Sequence, residues 1–197
     1  MKTALVLGGG AGGMDEVAAA LDLGEFAGVV ACNDVGMVWQ GELDGWVSLH
    51  ADKLAVWAAQ RARRGLSPAK RLAGHLGHGT NMPVAEVTEY VDYALPGQTR
   101  SGSSGLFAVK FALIDLGFDR AVCCGIPMLS EKAHYFNNAM WNGARSHQPG
   151  WLAKTPEKDK PLVPLAILKD RVRSMSGWTK QLLGAPTPGW IAGQADA

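Results

Sequence analysis

The stretch that decides the fold is Ala4-Leu5-Val6-Leu7-Gly8-Gly9-Gly10-Ala11-Gly12-Gly13. An apolar run enters a loop that is almost all glycine. From Asp15 onward, Val17, Ala18, Ala20 and Leu21 gather on one side of a helix. The stretch reads as strand, tight turn, helix. Glycine permits the sharp turn and lets a ligand approach the backbone. The first N–H groups of the helix favour an anion. Gly8, Gly10 and Gly13 carry the spacing G-x-G-x-x-G, which gains weight after a strand and before a helix. Gly8, Gly9, Gly10 and Gly13 are therefore candidate binding residues. The same spacing also serves a tight turn that binds nothing.

Working outward, strands are expected at Thr3–Leu7, Val29–Cys32, Gly45–Leu49, Val84–Tyr93 and Ala121–Cys124. Helices are expected over Asp15–Leu23, Asp52–Arg64 and Leu106–Leu116. The unbroken apolar runs suit parallel strands covered on both faces. Leu66–Met82 is poorly periodic and reads as a short basic helix followed by a glycine- and histidine-containing loop. The alternation predicts an α/β fold, Rossmann-like and doubly wound, with a mostly parallel sheet and ligands at the carboxyl ends of its strands. Residues 1–149 would form this nucleotide-binding domain. Residues 150–197 read as an extended arm rich in Trp and Pro, with one helix over Leu165–Leu183. The arm would dock on its own domain or on a second copy, making a homo-oligomer.

The 197 residues are 47% apolar with a net charge of +1, enough for one full core and too balanced to attract nucleic acid or a membrane surface. Cys32, Cys123 and Cys124 form no disulfide framework and read as reduced core residues of a cytoplasmic protein. The apolar run after Met1 is too short for a signal peptide, and no run approaches the roughly 18 residues of a membrane span. His75 and His78 have no neighbouring Cys or carboxylate to complete a metal site, so no metal is expected.

Asn33 and Asp34 follow the glycine loop by about twenty residues, where a dinucleotide fold places the acidic group that accepts from a ribose hydroxyl. An Asx-turn closing the strand gives the same residues. Ser103, Ser104 and Gly105, preceded by Ser101 and Gly102, open a helix and make a second anion cradle or an ordinary cap. Neither loop carries the lysine of a P-loop. Gly125 ends another strand. His50, at a strand end, and His134 are the candidate catalytic bases, with Asp44 a third proton-transfer group. Arg61, Arg63, Arg64, Lys70 and Arg71 read as a solvated helix face or a contact for a phosphate-bearing substrate.

Four stretches carry a resemblance: Leu5–Gly10, Cys32-Asn33-Asp34, Ser103–Val109 and Leu116–Ile126. Their order resembles the Rossmann-like group of bacterial sialyltransferases of the Campylobacter type, MAF/DUF115 proteins and archaeal pterin pyrophosphokinases. The resemblance implies binding of a cytidine nucleotide by Gly8–Gly10, Asn33, Ser104 and Gly125. It also implies that His134 corresponds to a later histidine base. Two departures stand out. The family's Gly-Pro-Ser is here Gly9-Gly10-Ala11, and its Asp after Gly-Ile is here Pro127. The chain is also similar to small phage or prophage proteins, which implies host cytoplasm or virion. The expectation is a nucleotide-binding protein, a transferase using a CMP-sugar-like donor. The alternatives are an NAD(P)-dependent oxidoreductase and a non-catalytic scaffold or phage assembly protein.

Overall fold

Thr3–Leu7 (β1) is buried along its whole length, and the one polar side chain, Thr3, donates its hydroxyl to the Ile191 carbonyl at 2.9 Å. The computed structural model describes residues 1–76, 82–96, 98, 103–129, 151 and 163–194. After β1 come helix α1 (Gly13–Leu23), β2 (Gly28–Cys32), a 3-10 turn (Asn33–Met37), β3 (Gly45–Ser48), α2 (Ala51–Arg63), β4 (Leu72–Gly74) and β5 (Glu89–Tyr90). Then follow α3 (Ser104–Lys110), a π-helical turn (Phe111–Asp115), β6 (Arg120–Cys124), α4 (Val163–Arg171), β7 (Val172–Ser174), α5 (Gly177–Leu183) and α6 (Pro188–Ile191).

The seven strands form one sheet in the order β5-β4-β3-β2-β1-β6-β7. Every pairing is parallel; Val6, for example, lies beside Val30 on one side and Cys123 on the other. This is the α/β, Rossmann-like architecture. From β1 the chain steps outward to β5, and α3 then brings it back to β6 on the other side of β1. The direction reverses between β1 and β6, the position where open α/β sheets bind ligands.

The period of two sorts the strands onto two covered faces. Ala4, Val6, Val30, Cys32, Val47 and Cys123 pack with Phe107 and Phe111 of the α3 layer. Leu5, Leu7, Ala31, Trp46, Val122 and Cys124 pack with Val17 of α1 and Leu54 of α2. Burial on both faces is why these strands read as continuous apolar runs.

Several elements differ from expectation. The region read as a short basic helix contains β4, only three residues long. Of the strand expected over Val84–Tyr93, only Glu89 and Tyr90 pair. The single helix expected over Leu165–Leu183 is broken into α4, β7 and α5, and β7 adds a parallel strand to the sheet beside β6. Two tryptophans of the C-terminal stretch, Trp151 and Trp190, are buried. The guanidinium groups of Arg120 and Arg173 each lie over the Trp190 ring, 4.8 Å from a ring centroid.

Arg61 departs from the solvated helix face that its basic cluster suggested. Arg61 is buried, and its guanidinium donates to the carbonyls of Ser67, Gly36, Trp39 and Gly41 at 2.5–2.8 Å. Those carbonyls lie in the 3-10 turn and in loops outside the strands and α-helices, and a forked donor satisfies them together. Arg71 pairs with both carboxylate oxygens of Glu89 and lies over the Phe111 ring. Lys110 of α3 is buried, with its charge met by Asp115 at 2.8 Å.

Candidate functional site

At the reversal, the turns after β1 and β6 lie against each other. The Gly8 N–H donates to the Cys124 carbonyl at 2.8 Å, and the Gly10 N–H to the Gly125 carbonyl at 2.8 Å. A Cβ on Gly10 would stand 2.7 Å from Pro127 Cδ, and one on Gly13 would stand 3.0 Å from Gly125 Cα. A Cβ on Gly8 would overlap Ile126 and lie 2.6 Å from the Gly125 carbonyl oxygen. All three glycines of the G-x-G-x-x-G spacing therefore face Gly125–Pro127. Gly125 has φ +68°, and its N–H donates to the Glu16 carboxylate at 2.7 Å. Glu16 and Asp15 lie in the first turn of α1, where the helix dipole draws negative charge. The open part of the loop is Gly12, exposed with φ +78° and no neighbour near its Cβ position, whereas Gly9 and Gly10 are half-buried.

The second small-residue turn is its neighbour. A Cβ on Gly105 would stand 2.8 Å from Ile126 Cγ2, so the Ile126 side chain occupies the space between Gly8 and Gly105. Ser103 caps α3: its hydroxyl oxygen accepts from the Leu106 N–H at 3.2 Å and from Trp151 Nε1 at 3.2 Å. Ser103 and Ser104 are both buried. Ser103 takes the capping role that its sequence allows beside an anion cradle. The structure brings Gly8, Gly105 and Gly125 together around a packed isoleucine, and covers Ser103 with Trp151.

One strand away, the ends of β2 and β3 are tied by side chains. Asn33 adopts φ +55°, a conformation asparagine tolerates better than most residues. Its Oδ1 accepts from Ser48 Oγ at 2.9 Å and its carbonyl from Trp46 Nε1 at 2.6 Å. Ser48 Oγ in turn accepts from the His50 N–H at 3.0 Å, at the start of α2. Asp34 opens the 3-10 turn beside it. Burial, and then the Asp34 charge, push the Cys32 thiol up to about 12 from an ordinary 9.0. Asn33 and Met128, the two non-glycine residues with positive φ among those described, both follow the carboxyl end of a strand.

His50 lies half-buried at this edge. His75, directly after β4, was read only as half of an incomplete metal pair. Its Nδ1 is 3.0 Å from the Val91 carbonyl and its ring meets Tyr93 edge-on at 4.6 Å. A carbonyl only accepts, so Nδ1 carries a proton and donates it to Val91. The sequence reading also missed Ser48, whose signal was a lone hydroxyl in the apolar run Trp46-Val47-Ser48-Leu49. His134, His78 and Ser101 lie outside the described residues.

Among the described residues, no group of three His, Cys, Asp or Glu side chains is arranged to hold a metal ion. No helix among them is long and apolar enough to cross a membrane. No family model matches the chain, and neither a curated protein nor a solved structure matches it.

Proposed function

We propose that the protein binds a nucleotide at the carboxyl edge of its sheet and acts as a transferase on a nucleotide-activated donor of the CMP-sugar kind. The observation that carries this reading is the Asn33 corner: a left-handed asparagine clamped by Ser48 and Trp46, beside Asp34, one strand from the reversal. A clamped amide presents fixed donors to a base or sugar oxygen. Asp34 accepts from a ribose hydroxyl, and the open backbone at Gly12 faces the phosphate. Oriented N–H groups there stabilise the departing phosphate. His50 takes the proton of the acceptor hydroxyl.

A second reading, a non-catalytic scaffold, is favoured by the Ile126 side chain lodged between Gly8 and Gly105. Thermal-shift measurements with CMP, cytidine, ATP, GTP and NAD separate the two. On the nucleotide reading CMP raises the melting temperature, with a stabilisation of about 2.7 kcal/mol at a hundredfold excess over Kd. Asn33→Ala then weakens CMP binding by about tenfold or more while far-UV circular dichroism is unchanged. No rise with any of the five supports the scaffold.

A further inference from the structure

We propose that Arg61 is the positioning residue of the Asn33 corner: its buried guanidinium sets the turn that carries Asn33 and Asp34 and ties that turn to the helix capped by His50. This role rests on the nucleotide reading above and deepens it. The 3-10 turn Asn33–Met37 is anchored at two points. At its start, Trp46 Nε1 donates to the Asn33 carbonyl at 2.6 Å, and Ser48 Oγ donates to Asn33 Oδ1 at 2.9 Å. Further along, the buried Gly36 carbonyl accepts from Arg61 Nη1 at 2.7 Å. The Trp46 ring lies against Gly36 as well, so closely that a Cβ there would stand 2.2 Å from Trp46 Cε2. Asp34 lies between the two anchors. The same guanidinium holds the loop that leads on to β3: Nη1 also donates to the Trp39 carbonyl at 2.5 Å, and Nη2 donates to the Gly41 carbonyl at 2.8 Å. Its Nε donates to the Ser67 carbonyl, past the end of α2, at 2.5 Å.

Arg61 belongs to α2, whose N-cap is His50. One helix therefore carries the candidate base at its start and the clamp on the ligand-reading turn near its other end. A guanidinium suits the second task. Its planar fork presents five N–H donors in fixed directions, whereas an ammonium offers three on a flexible stem. A buried carbonyl that loses its donor is costly, so the turn shifts to find another. Arg63 and Arg64, on the same helix, are exposed. Arg61 thus acts through Asn33 and Asp34 and not on a ligand directly.

The test compares Arg61→Lys with Lys110→Met. The second variant also disrupts a buried cation, but its partner Asp115 meets Arg71 at the amino end of β4. Three quantities are read where both variants are folded: urea stability, the indole N–H resonance of Trp46, and CMP affinity by calorimetry. Both variants lose stability. Only Arg61→Lys is expected to move the Trp46 indole resonance and the Asn33 and Asp34 amides, and to weaken CMP about tenfold. Lys110→Met keeps those resonances and the affinity. Unchanged CMP affinity in Arg61→Lys overturns the role of Arg61 and leaves the nucleotide reading standing. Equal weakening in both variants also overturns it, since loss of stability alone then explains the effect. If Arg61→Lys does not fold, the wild type decides. The Arg61 Nε–H resonance should shift on CMP addition with the Kd of the Asn33 amide, and a stationary resonance at saturation overturns the role. A wild type that binds no CMP removes the nucleotide reading. The Trp46 resonance of Arg61→Lys then decides alone whether Arg61 sets the turn: a moved signal supports it and an unmoved one overturns it.

Discussion

Around Gly8–Gly13 the backbone of one strand-end turn lies against the backbone of another, whereas around Asn33 neighbouring strand ends are tied by side chains. The first corner is closed by contact. Gly8, Gly10 and Gly13 are small because Gly125, Ile126 and Pro127 are close. The second corner is closed by hydrogen bonds from Ser48 and Trp46, and these fix a polar side chain at the strand ends. The lesson concerns glycine spacing. A G-x-G-x-x-G sequence requires that something approach the backbone. It does not say whether that is a ligand or the next turn of the same protein.

The sharpest way to break the comparison is to add a methyl group at each kind of glycine. Gly125→Ala meets the Gly8 carbonyl oxygen and must keep φ +68°. Strain and overpacking together predict a loss of about 3–4 kcal/mol in urea unfolding. Gly12→Ala has a similar φ, +78°, but open space, and should lose only about 1 kcal/mol. Equal losses would mean that close approach is not what holds the first corner. The next effect belongs to the second corner. Ser48→Ala removes the donor to Asn33 Oδ1 and the acceptor for the His50 N–H. A loss of about 1–2 kcal/mol is expected, with weaker CMP binding. A change in stability with unchanged binding would detach Ser48 from the ligand.

The smallest effect compares the acids of the two corners through the thiols beneath them. Cys32, next to Asp34, is pushed up to about 12 from 9.0, and Cys124, near Glu16, is raised as well, burial being the larger cause in both. A folded-state value above the unfolded one means that the native chain holds its protons longer. The stability this provides is complete below about pH 9 and is lost as pH rises from there towards about 12. The urea midpoint should therefore fall between pH 8.5 and 10.5, and Cys32→Ala should flatten part of that slope. A midpoint that rises over this interval would contradict the burial of the thiols.

Much of the sheet was legible. Thr3–Leu7 appears with the expected bounds, and Val29–Cys32, Gly45–Leu49 and Ala121–Cys124 shift by one residue. Their continuous apolar runs end in glycine or a polar pair, and burial on both faces leaves little else to read. β4 and β7 were not legible, and β5 is much shorter than the strand expected around it. Leu72-Ala73-Gly74 and Val172-Arg173-Ser174 are too short to show a period, and their pairing partners decide them. The position of Arg61 was hidden for a related reason. A buried cation is set by the carbonyls that meet it, and those of Gly36 and Gly41 lie some distance back along the chain. At the candidate site the sequence named Asn33 and Asp34 from their distance to the glycine loop. Ser48 and the orientation of His75 depend on strand neighbours that only the fold supplies.

The most direct test of the central claim is amide chemical-shift mapping of the assigned protein during a CMP titration. The account predicts saturable shifts at Asn33, Asp34, Ser48 and His50, smaller ones along Gly9–Gly12, and a stationary Gly125 whose N–H stays with Glu16. The largest shifts at Gly125 and Gly105, or no saturable shift at the Asn33 corner, would contradict it.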